Sequence, residues 1–298
     1  MRVFVTGATG NIGSHVVGEL IAAGHQVLGL CRSPDKEAAL SAAGAEVLRG
    51  SIADPEVLKQ GARQSDGVIH LAFNHDFSRF VQNCEDDRAV IAALGEALSG
   101  TEKPLVITSG TPIANTVAGE PARENNPILG ADRHPRAASE EAAAAAAAAG
   151  VNVSVVRLPQ VHDTMSQGLV TPAIAMFRKN GFCAYVGDGL NRWPAAHITD
   201  VARLYRLAVE RAEPGAKYHA VAEEGVPMRD IAGAVGRRLG LPVRSLAAEE
   251  AAAFFGWLAM FAGHDMPASS ALTRQTLGWQ PTGPGLLDDL ARLDARQG

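Results

Sequence analysis

The sequence predicts an α/β chain built on a doubly wound parallel sheet, with a smaller α/β region after it. Three observations lead there. The opening stretch, Met1-Arg-Val-Phe-Val-Thr-Gly-Ala-Thr-Gly-Asn-Ile-Gly13, is a short apolar run that breaks into glycines three residues apart. From there to about residue 165, apolar β-branched runs of strand length alternate with stretches of helical periodicity. Beyond that point the alternation loosens, which divides the 298 residues into a first unit at 1–165 and a smaller, partly interleaved substrate-binding unit at 166–298.

The opening run reads as a strand, a tight turn and a helix start. Val3 and Val5 are β-branched and Phe4 is aromatic, as a buried parallel strand requires, while Ile12, Val16, Val17, Leu20 and Ile21 recur at helical spacing before Gly24. Gly7 permits the sharp turn, Gly10 lets backbone approach a pyrophosphate, and Gly13 lets helix and strand pack closely. Unpaired N–H groups at the helix start then face the anion. In this context the glycines form a dinucleotide-binding fingerprint of the Rossmann type.

The form Thr6-Gly7-Ala8-Thr9-Gly10-Asn11-Ile12-Gly13 resembles the extended and atypical short-chain dehydrogenase/reductases, the group that includes nucleotide-sugar epimerases and dihydroflavonol-type reductases. In that family the motif opens the NAD(P) site, which implies cofactor contacts from Gly7, Thr9, Gly10, Asn11, Ile12 and Gly13.

The remaining elements follow in order. A second strand at 26–31 ends in Arg32-Ser33, about 20 residues past the fingerprint, where an acidic residue would bind the ribose of NAD. Arg32, with Ser33 and Lys36, instead suits the 2′-phosphate, so NADP(H) is expected over NAD(H); the other reading is a solvated basic turn. A third strand begins at Val47-Leu48, and Asp54-Pro55 reads as a helix N-cap followed by proline at the first helical position. The resemblance places Ser51 and Ile52 near the adenine. Gly67-Val-Ile-His-Leu-Ala72 forms the fourth strand and leads through Phe73-Asn-His-Asp-Phe77 into a helix ending at Leu98. By the same resemblance Leu71, Ala72 and Phe73 pass over the cofactor.

Leu105-Val-Ile-Thr-Ser109 is the fifth strand, and its Thr108-Ser109 ending lies at the sheet edge where ligands sit in this fold. Ser109 corresponds to the family's catalytic serine position. The polar, Pro- and Gly-bearing stretch at 111–135 has the length of a lid or binding loop. A sixth strand at 151–157 runs into Arg157-Leu-Pro-Gln-Val-His162, which resembles the family's Arg-Pro-x-x-Val-Tyr turn beside the nicotinamide, with Pro159 at the cofactor and His162 in place of the tyrosine. Ala196-His-Ile-Thr-Asp-Val-Ala202 resembles the family's link into the next helix, for which Asp200 is the expected N-cap. A strand at 217–222 and helices near 229–239, 249–262 and 286–296 complete the chain.

Members of this family that move hydride carry Tyr-x-x-x-Lys at the helix after the long loop, often as Pro-Tyr-x-x-Ser-Lys. Here the corresponding stretch is Pro135-Arg136-Ala137-Ala138-Ser139-Glu140, so Arg136 and Glu140 stand where tyrosine and lysine are expected. Tyr185 is the first tyrosine, and no lysine lies in that helix. Arg136 and Glu140, four apart on one helical face, are expected either to form a simple ion pair or to leave Arg136 stabilising a developing alkoxide or an anionic group. Arginine holds its proton at accessible pH, so the acid must come from elsewhere. His162, His134 and His75 are the candidates because histidine titrates near neutrality.

Bulk properties narrow the classes further. Lys and Arg number 27 against 32 acidic residues, a net charge of −5 with no block of one sign, which points to a small-molecule partner rather than nucleic acid or membrane. Cys31, Cys84 and Cys183 are scattered and lack metal-site spacing, so no metal is expected, and reduced thiols in the cytoplasm are the simple reading. A chain starting on a core strand leaves no signal peptide to expect. The alanine run at 142–149 reads as helix. The resemblance also implies a possible homodimer through helices near 77–98 and 136–149, against a monomer that uses the alanine face internally. The function expected is NADP(H)-dependent oxidation or reduction of a small carbonyl or alcohol. The rivals are an NADP(H) sensor without turnover, and isomerase or lyase chemistry.

Overall fold

The computed structural model describes residues 1–294. Its main sheet is parallel throughout, in the order β3 (Glu46–Arg49), β2 (Gln26–Cys31), β1 (Arg2–Thr6), β4 (Gly67–His70), β5 (Leu105–Gly110), β6 (Val153–Leu158) and β10 (Lys217–His219). A strand buried on both faces needs an apolar middle, and β1 has one: Val3, Phe4 and Val5 are fully enclosed. On one face α1 (Asn11–Ala22) and α7 (Ile198–Arg211) pack through Val16, Val17, Leu20, Leu204 and Ala208, with α2 (Pro34–Ala42) beside them. On the other lie α3 (Pro55–Arg63), α4 (Phe80–Leu98) and α5 (Ala138–Ala148). α3 starts as its sequence demands, with Asp54 accepting from Glu56 N at 3.0 Å ahead of Pro55.

The alanine run has a packing reason. A Cβ placed on Gly95 of α4 would lie 3.1 Å from the Ala146 Cβ of α5, so small residues on both helices set a close approach. The outer face of α5 stays exposed at Ala144, Ala145, Ala147 and Ala148.

The second unit has its own core, built by α6 (Val170–Asn180), α8 (Met228–Leu239), α9 (Ala248–Phe255) and α12 (Leu286–Ala291) around Phe177, Trp193, Ile231, Val235 and Phe255. α10 (Ala259–Ala262) and α11 (Ala271–Leu277) are short, and β8 (Cys183–Val186) pairs in parallel with β12 (Val243–Leu246). The expected helix at 249–262 is broken at Gly256, whose φ of +53° no continuous helix accommodates. The helix expected to reach 296 stops at Ala291; positions 295 and 296 lie outside the described residues.

The two units interleave. The chain returns from the second to the first at α7 and β10, so 198–219 belongs to the main sheet although it lies beyond 165. β7 (Gln160–His162), β9 (Arg192–His197) and β11 (Glu223–Pro227) form a three-stranded sheet that carries three of the passages between the units, while α11 and Trp279 return once more to pack on the first unit before α12.

Asp200 is not an N-cap. α7 begins two residues earlier, where the His197 side chain accepts from Thr199 N. Asp200 is buried in the first turn and receives N–H bonds from Thr282 and Gly283 at 3.0 and 2.8 Å, together with Arg203. It anchors the C-terminal segment to the first unit.

A buried knot closes the far end of the sheet. Arg157, with no exposed surface, is held by Glu140 through two bonds of 2.7 and 2.8 Å, and a third nitrogen contact reaches His219 Nε2 at 3.1 Å. His219 Nδ1 donates to the Ser269 carbonyl at 2.8 Å. Burial, and then the Arg157 charge, push the His219 pKa down to about 3. The unfolded chain, with an ordinary histidine near pKa ~6.5, therefore takes up this proton first as pH falls, so this contribution to stability is complete above ~6.5 and is lost towards 3. Urea unfolding at stepped pH is expected to show a loss of up to about 1.4 kcal/mol per pH unit from this residue across that window, and the His219→Gln variant is expected to flatten the slope by that share.

Candidate active site

The glycine turn sits where the strand order reverses, between β1 and β4, at the C-terminal edge of the sheet. Gly7 has φ +70°, and a Cβ there would lie 2.8 Å from Ala72 N. A Cβ on Gly13 would lie 1.9 Å from the Gly7 carbonyl oxygen, so helix and turn touch backbone to backbone. Gly10, at the N-cap of α1, offers no side-chain cap, which leaves the first-turn N–H groups directed into the open cradle.

A cleft of about 1320 Å³ runs from this cradle to the second unit. Thr9, Gly10, Asn11 and Ile12 line its start, with Gly7 and Gly13. Arg32, Ser33 and Lys36 line it after β2, Ser51 and Ile52 after β3, Leu71, Ala72 and Phe73 after β4, and Thr108, Ser109 and Pro159 at the ends of β5 and β6. The Arg32 side chain is exposed and makes no hydrogen bond or ion pair within the described residues.

Arg136 enters this cleft from the turn Pro135–Ala137 ahead of α5, but its partner is not Glu140. Its Nη1 donates to Asp87 Oδ2 at 2.7 Å and also meets Ser139 Oγ, its Nη2 donates to the Thr108 carbonyl at 2.8 Å, and its guanidinium carbon stands 4.3 Å from the Phe73 ring centroid. The ion pair expected between Arg136 and Glu140 does not form, because Glu140 turns inward to Arg157.

Asp87 collects the surrounding donors. His70 Nε2 donates to its Oδ1 at 2.9 Å and Ser139 Oγ to its Oδ2 at 2.6 Å, while His70 Nδ1 meets Thr6 Oγ1 at 2.6 Å. Burial works to raise the Asp87 pKa, but His70 and then Arg136 outweigh it and hold the carboxyl well below its usual range. Asp87 carried no motif in the sequence; the signal available was a lone acidic residue on the apolar face of α4.

The expected proton carriers separate. His162 is fully buried, but it is not among the cleft residues: Nδ1 meets Asp289 Oδ2 of α12 at 2.7 Å, and burial lowers its pKa in spite of that carboxylate. As it stands, His162 does not face the cleft, and the carboxylate of Asp289 occupies its Nδ1. His134 does line the cleft, with Nδ1 buried and unpartnered among the described residues, and burial and then Arg136 lower its pKa. His75 lies at the exposed rim. Ser109 lines the cleft with 3 % of its surface exposed, and its Oγ has no hydrogen-bond partner in the described residues.

The tyrosine question also changes. Tyr205 of α7 comes back to the first unit and hydrogen-bonds to Thr108 Oγ1 at 2.7 Å, but it is fully buried beneath the sheet edge and outside the cleft lining. Burial raises its pKa further from the working range.

Fold and cradle define an NAD(P)-binding protein of the short-chain dehydrogenase/reductase type. The profile of the NAD dependent epimerase/dehydratase family matches residues 3–222, and the chain belongs to that family, whose members bind NAD(P). It is similar to an uncharacterized protein of Schizosaccharomyces pombe, at 45 % identity over 295 residues covering 98 % of each chain. A 2-alkyl-3-oxoalkanoate reductase of Stenotrophomonas maltophilia is 30 % identical over 264 residues, 81 % of this chain and 77 % of that one. In fold it matches the dTDP-glucose 4,6-dehydratase of Streptomyces venezuelae, with TM-score 0.78 at 21 % identity over 98 % of this chain and 95 % of that one. The seven-stranded Rossmann sheet is common to this class, and no helix among the described residues is long and apolar enough to cross a membrane.

Removing one partner of the Asp87–Arg136 pair leaves a desolvated charge. Asp87→Ala is expected to cost about 3–5 kcal/mol in urea unfolding, and Asp87→Ala combined with Arg136→Met is expected to recover part of it.

Proposed function

We propose that the chain is an NADP(H)-dependent oxidoreductase that interconverts a carbonyl and an alcohol on a small organic molecule. The observation that carries this reading is Ser109 Oγ, buried in the cleft wall with no partner among the described residues, next to a strand end that Arg136 grips through the Thr108 carbonyl. A buried hydroxyl without a partner is costly, and a substrate oxygen supplies one. NADP(H), when bound, supplies or accepts the hydride. The glycine cradle fits its pyrophosphate, and Arg32 and Lys36 offer the positive charge, with the Ser33 hydroxyl between them, that a 2′-phosphate needs.

In this reading Ser109 donates to the substrate oxygen and orients it. Arg136 keeps a positive charge beside the position where negative charge develops, and Phe73 and Asp87 hold its plane. His134, kept neutral by burial and then by Arg136, accepts the alcohol proton in the oxidising direction and passes one in from solvent in the reducing direction. The name of the Stenotrophomonas relative, a reductase of a 3-oxo compound, supports carbonyl chemistry. The three buried free thiols suit a reducing cytoplasm.

The direct test follows deuterium from the nicotinamide of labelled NADPH into the metabolites of a cell extract. Label in a metabolite is the expected result, with Ser109→Ala slowing its transfer about 10²-fold at unchanged NADPH affinity. Label that stays on bound cofactor in repeated extracts sinks the reductase reading in favour of a sensor. For the cofactor, Arg32→Ala is expected to weaken NADPH by about 10- to 100-fold in a fluorescence titration and to leave NADH unchanged, since a charge-assisted bond is worth about 1.5–3 kcal/mol.

A further inference from the structure

We infer that the substrate end of the cleft takes an uncharged, largely hydrocarbon carbonyl compound and turns nucleotide-linked ones away. The inference rests on the carbonyl-reductase reading and narrows it to a substrate class. Away from the glycine cradle the lining includes Phe77, Leu169, Pro172, Pro194, Phe261 and Met266, drawn from the segment after β4 and from four separate parts of the second unit. Phe77 is held in place by Trp257, whose ring stacks on it at 4.1 Å between centroids and 8° between planes. The wall is thus both apolar and braced.

Apart from Ser109 and His134, which are left for the carbonyl, polar groups beside this wall are engaged within the protein. Gln160 Oε1 accepts from Leu169 N at 2.8 Å, and Thr171 Oγ1 accepts from Gln167 N at 2.7 Å. Among the described lining residues the lysines and arginines are Arg32 and Lys36, both beyond β2 at the far end, and Arg136. Arg136 is committed to Asp87, and the carboxylates that line the cleft are Asp86 and Asp87. A diphosphate brought here loses its water without gaining a free counter-charge. A hydrocarbon chain meets surface of its own kind and gains by leaving water.

The experiment measures binding rather than turnover, on the full chain saturated with NADP⁺ so that no hydride moves. Calorimetric titration with butan-2-one, hexan-2-one and decan-2-one is expected to show affinity rising by about two- to fourfold per added methylene. UDP, the charged probe, is expected to show no saturable heat. Phe261→Ala is expected to flatten the dependence on chain length while its thermal unfolding midpoint stays near that of the wild type; should that variant unfold, Met266→Ala is read in its place. Affinity indifferent to chain length, or UDP binding more tightly than decan-2-one, overturns the inference. Graded ketone binding without deuterium transfer to any ketone keeps the apolar subsite and sinks the reductase reading. Deuterium transfer to a nucleotide-linked sugar does the reverse.

Discussion

The Asp87 carboxylate is the point on which the working edge of the sheet depends. It is buried, it stays ionised, and its two oxygens face different elements: Oδ1 takes His70 at the end of β4, and Oδ2 takes Arg136 and Ser139 ahead of and within α5. Arg136 then reaches across to the Thr108 carbonyl, and Thr108 Oγ1 donates back to the His70 carbonyl at 2.7 Å. The loop of contacts closes on itself. Pairs of this kind add little net stability over an apolar core, but each member fixes the direction of the next. Along this edge it is charge that sets where Ser109 and Arg136 stand.

A second consequence concerns the two positions where tyrosine and lysine are expected. Arg136, in the turn ahead of α5, and Glu140, in the helix's first turn, are four residues apart, yet they belong to different networks: one faces the cleft, the other neutralises Arg157 in the interior. Glu140 therefore has a structural task that a lysine would reverse in sign, because two cations would then share a site with no exposed surface.

Much of this was legible in the sequence, for a physical reason. The glycine cradle, the strand ends and the Asp54 cap depend on residues within a few positions of one another, and local spacing determines them. What escaped depends on partners far along the chain. Arg136 meets Asp87 across 49 residues, His162 meets Asp289 across 127, and Tyr205 returns to Thr108 across 97. Helical spacing allowed the pair Arg136–Glu140, but a buried Arg157 outcompeted it, since an enclosed guanidinium without a carboxylate costs far more than an exposed pair gains. Asp200 was misread for the same reason: its role is set by backbone N–H groups at 282 and 283, which no local pattern announces.

The small sheet of β7, β9 and β11 gives the molecule a particular mechanical character. Where the chain crosses at β7, β9 and β11, the three strands are hydrogen-bonded side by side and behave as a plate, stiff against shear and splaying in its plane and compliant only to bending across it. The Phe77–Trp257 stack adds a further contact between the first unit and the second. Selection among ligands then falls to the side chains that face the cleft, and exchanging a few of them changes what the protein accepts while the hinge and the sheet stay as they are.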